Sequence, residues 1–210
     1  MKKQKICTFY IVRHGETEGN ASGILGLNPR LTANGVKQAQ GLAKQLKSIH
    51  FDAVFSSDLI RAKQTAEIIV LERDLILQTK KTIREKHFGV MEGKHEDVYK
   101  KKIKNLLDEL ETMTENQRNT IRLAEGMENN EELVMRFGTF LREVVIAYAD
   151  KTVLVVCHGS LMRIFLIHLG FATYKELPAG SIDNAGYFVL ESDRLDFFVK
   201  ETVNVNKKML

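Results

Sequence analysis

Apolar positions fall into two rhythms along the chain, and the breaks between them mark out the elements. Cys7 to Val12 is an unbroken β-branched and aromatic run, the pattern of a strand covered on both faces as in a parallel sheet. Val36, Ala39, Leu42, Ala43 and Leu46 then repeat at helical spacing behind Thr32, a capping residue. Phe51 to Phe55 reads as a short strand. Leu59, Ala62, Ala66 and Ile69 line one face of a second helix, for which Ser56-Ser57-Asp58 supply capping residues. Leu75 to Thr79 is a further strand, followed by a turn-like stretch that carries Glu85 and is punctuated by Gly89 and Gly93.

The character then changes. From Lys94 to Glu125 the chain is charged and lacks strand signals, while Ile103, Leu106, Leu107, Leu110 and Met113 form a helical stripe, which predicts a helical insertion over one edge of the core. Leu133, Phe137, Phe140, Leu141, Val144 and Tyr148 mark a long amphipathic helix. The buried strand Thr152 to Cys157 follows, then a helix from Ser160 to Leu169 closed by Gly170. Two more strands lie near Tyr187 to Glu191 and Leu195 to Lys200. Alternating strands and helices predict an α/β fold, a three-layer α/β/α sandwich with a mostly parallel central sheet and a helical insertion. With 210 residues the chain suits one domain over 1–210 with the insertion at about 94–125.

Composition narrows the function classes. The net charge of +4 favours anionic ligands but falls short of a nucleic-acid signature, and aromatic residues are not interleaved with basic clusters as stacking platforms require. The Lys100-Lys101-Lys102-Ile103-Lys104 run, on an amphipathic helix, reads as a solvated face. Met1-Lys2-Lys3-Gln4-Lys5 before an apolar stretch superficially resembles a signal peptide, but that stretch stops at Arg13 with no small-residue cleavage site. No run approaches the ~18 apolar residues of a membrane span, so a soluble, cytoplasmic protein is expected, with a homodimer left open. Cys7 and Cys157 sit inside apolar runs and read as buried thiols rather than a disulfide. His50, His87, His95 and His168 are irregularly spaced, and no His-Glu-x-x-His or paired cysteines accompany them, which argues against a zinc site. No Gly-x-x-x-x-Gly-Lys loop or Gly-x-Gly pair occurs, so neither a metal nor a nucleotide cofactor is expected.

The informative anomaly is at the strand ends. A buried strand finishes on Arg13 and His14, followed by Gly15; Arg61 follows the second strand, and His158-Gly159 follow the Val153 to Cys157 strand. Burying such groups unpaired costs several kcal/mol, roughly. Ligand sites in open α/β sheets lie outside the carboxyl ends of the strands, so these residues can converge on one crevice, with Glu85 in reach after another strand. Arginine forks bind phosphate bidentately, and their charge favours a neutral, nucleophilic imidazole beside them. A nearby carboxyl group protonates a departing alcohol oxygen. Together these describe phosphoryl transfer through a phosphohistidine.

The same residues carry a family resemblance. Arg13-His14-Gly15-Glu16-Thr17 with Asn20 resembles the signature of the histidine phosphatase superfamily, also called phosphoglycerate-mutase-like. Pro29-Arg30-Leu31-Thr32 with Gly35 and Gln38-Ala39 is similar to its Pro-Leu-Thr, Gly and Gln-Ala stretch. Ser56 to Ala62 with Gln64-Thr65-Ala66 resembles its second arginine segment. Ile83-Arg84-Glu85 with Phe88-Gly89 and Glu92-Gly93 resembles the acid-bearing segment, in its phosphatase form, and Val155 to Gly159 the second histidine segment. The matches run in family order from about residue 7 to 190.

The resemblance implies that His14 is the nucleophile, that Arg13, Arg61, His158 and Gly159 hold the phosphoryl oxygens with Asn20 assisting, and that Glu85 is acid and then base. It implies a metal-independent phosphomonoesterase of histidine acid-type chemistry acting on a small phosphorylated substrate. A phosphoglycerate mutase and a non-catalytic phosphate-binding module are the alternatives. Two departures bear on specificity. The acidic residue expected before Pro-Leu-Thr is Asn28, and Arg30 is interposed, either as a contact for a second anionic group or as a solvated loop side chain. Lys86 and His87 after Glu85 either tune specificity or face water.

Overall fold

In the computed structural model, which describes residues 6–101, 109 and 112–209, six strands form one sheet in the order β3-β2-β4-β1-β5-β6. They are β1 (Cys7–Arg13), β2 (Ala53–Ser57), β3 (Leu77–Lys80), β4 (Thr152–Cys157), β5 (Ile182–Ser192) and β6 (Phe197–Val205). β1 runs parallel to β4, and β2 parallel to both β4 and β3, whereas β5 and β6 are antiparallel. The helices are α1 (Glu18–Ala21), α2 (Ala33–Gln45), α3 (Ile60–Val70), α4 (Glu115–Thr120), α5 (Asn130–Ala147) and α6 (Gly159–His168).

The two-residue period of the strands sends alternate side chains into separate cores. Val153, Val155 and Cys157 of β4 pack with Phe9 and Ile11 of β1 against Phe137, Phe140 and Phe165 of α5 and α6. Leu154 and Val156 point the other way, to Leu42 of α2, Leu46 at its C-cap, and Ala62, Ala66 and Ile69 of α3. Each large apolar side chain contributes about 1.5–3 kcal/mol through burial. Helices on both faces make the three layers that the alternation of elements predicts, and the sheet is mostly parallel.

Helix starts show where local pattern suffices. The Thr32 hydroxyl accepts from Gly35 N–H at the start of α2, and Asn129 with Glu132 forms a capping box on α5. The capping expected from Ser56-Ser57-Asp58 is not formed: both serines belong to β2, and Asp58 pairs with Arg84 through two bonds of 2.6 Å. The first residue of α3, Ile60, instead donates its N–H to Asn28 Oδ1 at 2.8 Å. A cap delivered from a distant loop leaves no trace in the local sequence. Asn28, where an acid was expected, is thereby committed to a helix end.

The last strands are longer than their apolar runs. β5 begins at Ile182 rather than near Tyr187, and its register with β6 shifts between those residues, where Ala185 has φ +59°. Such irregularity disguises a strand from any period-two test. In the 94–125 stretch, residues 96–101 are helical and α4 follows. Ile103, Leu106, Leu107 and Leu110 of the predicted stripe lie outside the described residues. Its described parts share a small cluster of Met91, Ala124 and Met127, with Leu25, Phe88, Tyr99 and Leu123 packed against it. This places them over the loops that follow β1 and β3.

Candidate active site

β1 and β4 lie side by side and end together, with Arg13 opposite Cys157 and the His14 N–H donating to the Cys157 carbonyl at 3.1 Å. The next residues, His14 and His158, therefore come out adjacent, and their ring centroids are 5.1 Å apart. Arg61 enters from the first turn of α3, just past the end of β2. Convergence follows from parallel topology, which puts these strand ends on one side of the sheet.

His14 is 2% exposed. Its Nδ1 lies 2.7 Å from the Gly15 carbonyl, which can only accept, so Nδ1 carries the proton. Nε2 keeps its lone pair and accepts from Arg61 Nε at 3.0 Å. Burial, then the charges of Arg61 and Arg13, lower the His14 pKa well below the usual histidine value. A neutral ring of fixed tautomer, its Nε2 lone pair held by a guanidinium, is the result.

His158 is fully buried, and neither ring nitrogen has a hydrogen-bond partner. Burial and the Arg61 charge likewise push its pKa well down. An unpaired buried polar group costs about 1–3 kcal/mol, so this ring suits an oxyanion ligand. Arg13 has one guanidinium nitrogen on the Ile182 carbonyl, while its buried Nε is unpartnered. A Cβ at Gly159 would stand 3.1 Å from that Nε, so glycine is what lets the guanidinium lie against the start of α6. Arg61 holds the Leu27 carbonyl at 2.7 Å. Burial pulls its pKa down, the Glu85 charge opposes this and Arg13 adds to it.

Glu85 accepts from three backbone N–H groups: Lys86 at 2.8 Å and Leu161 at 3.1 Å on Oε1, and Ser160 at 3.1 Å on Oε2. It thus satisfies orphan donors at the N-terminus of α6, which also fixes its place beside His158. Oε2, with a single partner, retains lone-pair capacity. Asn20 lines the same cleft; its Oδ1 accepts from Thr17 in a capping box and from Asn184 Nδ2.

Several motif residues prove to be supports. A Cβ on Gly15 would meet the Gly35 carbonyl oxygen at 2.4 Å, and one on Gly35 would meet the Glu16 oxygen at 2.1 Å, so the two loops touch backbone to backbone. Gln38 accepts from Glu16 N–H, Gln64 from Leu31 N–H and Thr65 from Gly15 N–H. Arg30 is exposed and is not part of the cleft wall. His87 faces solvent near Glu92, whereas Lys86 turns into the cleft.

The cleft has a volume of about 940 Å3, and His14, Arg13, Asn20, Arg61, Glu85 and Gly159 all line it. Sequence reasoning missed Asn184, whose Nδ2 donates to the His14 carbonyl at 3.1 Å. The polar pair Asp183-Asn184 ahead of the apolar run at Tyr187 was its one visible signal. It missed Arg118, Arg163 and Tyr174 as well. Among the described residues no group of three histidine, cysteine or acidic side chains is placed to hold a metal ion, and no helix is long and apolar enough to cross a membrane. Cys7 and Cys157 are free and buried.

Residues 9–205 match the model of the histidine phosphatase superfamily, branch 1. Over 88 residues the chain is 40% identical to an adenosylcobalamin/alpha-ribazole phosphatase of Escherichia coli (strain K12), a match covering 41% of this chain and 43% of that protein. It is 31% identical over 209 residues to fructose-2,6-bisphosphatase TIGAR B of Danio rerio, covering 81% of this chain and 77% of that protein. A crystal structure of a phosphoglycerate mutase from Bacillus anthracis str. Sterne superposes with a TM-score of 0.83 at 26% identity, covering 96% of this chain and 94% of that one.

Proposed function

The chain belongs to the histidine phosphatase superfamily, branch 1, and from that premise we propose that it is a metal-independent phosphomonoesterase working through a phosphohistidine at His14. The observation that carries this reading is the state of the two imidazoles. His14 presents a lone pair at Nε2, and His158, 5.1 Å away, has two buried nitrogens without partners.

Phosphate monoester oxygens take the guanidinium donors of Arg13 and Arg61 and the neutral His158 N–H, with Asn20 and the Gly159 backbone completing the cradle. Arg61 Nε then exchanges His14 for phosphate and frees the lone pair. Nε2 attacks phosphorus as the ester P–O bond breaks, and Glu85 delivers its proton to the departing alkoxide. Water next attacks phosphorus, its proton passing to Glu85, and the P–N bond breaks to release inorganic phosphate. Preorganised donors of this kind contribute about 3 kcal/mol each. The relatives named as phosphatases support hydrolysis; the cleft, open to solvent beside His14, is consistent with water as acceptor.

The test is turnover of p-nitrophenyl phosphate and a phosphometabolite panel, with and without chelator. Chelator-insensitive phosphate release is expected. Isomerisation of phosphoglycerate outrunning release would make the protein a mutase, and binding without turnover would make it a phosphate-binding module. Loss of activity on chelation, restored by metal, would overturn metal independence.

A further inference from the structure

The segment that carries Glu85 has no regular structure of its own. Residues 84–87 are neither helix nor strand, so their backbone groups must find partners elsewhere. Arg136 of α5 meets two carbonyls of this stretch: Nη1 donates to Thr82 at 2.8 Å and Nη2 to Glu85 at 3.2 Å. Glu128, just ahead of α5, holds the other end. Its Oε2 accepts from the His87 N–H at 3.2 Å, and its own N–H donates to the His87 carbonyl at 2.9 Å.

The two residues also hold each other. Arg136 Nε and Nη2 donate to Glu128 Oε1 and Oε2 at 2.6 and 2.9 Å, and the side chains are only 22% and 13% exposed. A bidentate fork fixes orientation as well as adding attraction. Neither residue lines the cleft. α5 already has a capping box and a buried face of Leu133, Phe137 and Phe140, and Arg136 directs these bonds to the loop rather than to its own helix. Glu85 is thereby held twice, its carboxylate by the first N–H groups of α6 and its main chain by Arg136. A general acid must come within about 2.6–3.2 Å of the oxygen it protonates, and a misplacement of about 1 Å can cost about 10^2-fold in rate.

We propose that Arg136, braced by Glu128, is a positioning residue for the general acid: it sets the reach of the Glu85 carboxyl to the leaving-group oxygen. The proposal rests on the phosphomonoesterase reading for the role of Glu85.

The test compares two esters by kcat/KM, which reports the step that breaks the ester bond. An alkoxide needs a proton to depart and p-nitrophenolate does not. Arg136→Gln is therefore expected to lower kcat/KM about 10^2-fold for glycerol 3-phosphate and less than about threefold for p-nitrophenyl phosphate. Arg136→Lys, which leaves Glu128 a counter-charge if the glutamine variant does not fold, should move the ratio the same way, because one ammonium cannot reproduce the fork and both carbonyl bonds. Arg73→Gln removes an arginine tied to the Leu46 and Ile49 carbonyls outside the cleft and should leave the ratio unchanged. Equal losses on both esters, or a ratio that moves as far in Arg73→Gln, would overturn the proposal. Amide hydrogen exchange supplies a readout without turnover. At Lys86, Ser160 and Leu161, whose N–H groups Glu85 accepts, exchange should quicken more than about tenfold in Arg136→Gln while β1 and β4 keep their protection. Unchanged exchange at those three would overturn the clamp. A wild-type protein that hydrolyses neither ester would discard the phosphatase reading alone, and exchange then decides the clamp.

Discussion

The two ends of one cleft are built on opposite plans. At the His14 end, Arg13, His14 and His158 stand at strand ends, Arg61 in the first turn of α3 and Glu85 just beyond the short helical turn that follows β3, and backbone contacts lock two of them: His14 on the Gly15 carbonyl, Glu85 on the first N–H groups of α6. At the Arg118 end, long flexible side chains reach in from α4, α6 and the Tyr174 turn, held by a chain of side-chain amides and a phenol. Rigid placement suits chemistry, where a small displacement is costly.

That contrast is broken or sharpened by substitution. His14→Ala should lower hydrolysis by more than about 10^4-fold, because the nitrogen that attacks phosphorus is gone; steady-state assay and a thermal melt on one sample check that folding survives. Arg61→Ala should lower kcat by about 10^2–10^3-fold, the usual loss on removing a preorganised oxyanion donor. Lys86→Met, at the Arg118 end, should cost at most about 30-fold in kcat/KM and act through KM, the signature of binding shared by ground and transition states. A comparable fall in kcat would erase the distinction between the ends.

Stability separates them too. Gly35→Ala forces a Cβ to within 2.1 Å of the Glu16 oxygen, a backbone clash that should cost about 3 kcal/mol or more in a urea unfolding titration. The buried histidines set a pH dependence. Both have native pKa values well below their ordinary ones, so between the two values the unfolded chain binds protons that the native protein does not. Their contribution is fully present above the unfolded value of about 6.5 and is lost as pH falls, by about 1.4 kcal/mol per pH unit for each histidine. His158→Gln should therefore flatten the decline in urea midpoint between pH 6.5 and 5. An unchanged slope would mean that His158 is protonated in the native protein.

Legibility in the sequence follows the same divide. β1, α2 and β4 were readable because their apolar runs are local, and Arg13, His14 and His158 because each sits at the end of β1 or β4; Arg61 and Glu85 were readable from the motifs around them, in the first turn of α3 and past the turn after β3. The start of β5 was hidden by Ala185 and its shifted register, and the α3 cap by its origin in Asn28. Arg163 was hidden inside an amphipathic pattern, and Arg118 inside a charged stretch where one more arginine is unremarkable. Only tertiary placement puts both against the Tyr174 ring.

The most direct measurement is a rapid-quench experiment with substrate labelled in its phosphoryl group. Label that is acid-labile, stable in base, mapped to His14 and chased into inorganic phosphate at the rate of turnover is expected. Turnover with no labelled protein at any time point, together with a His14→Ala variant that keeps wild-type hydrolysis, would contradict the account.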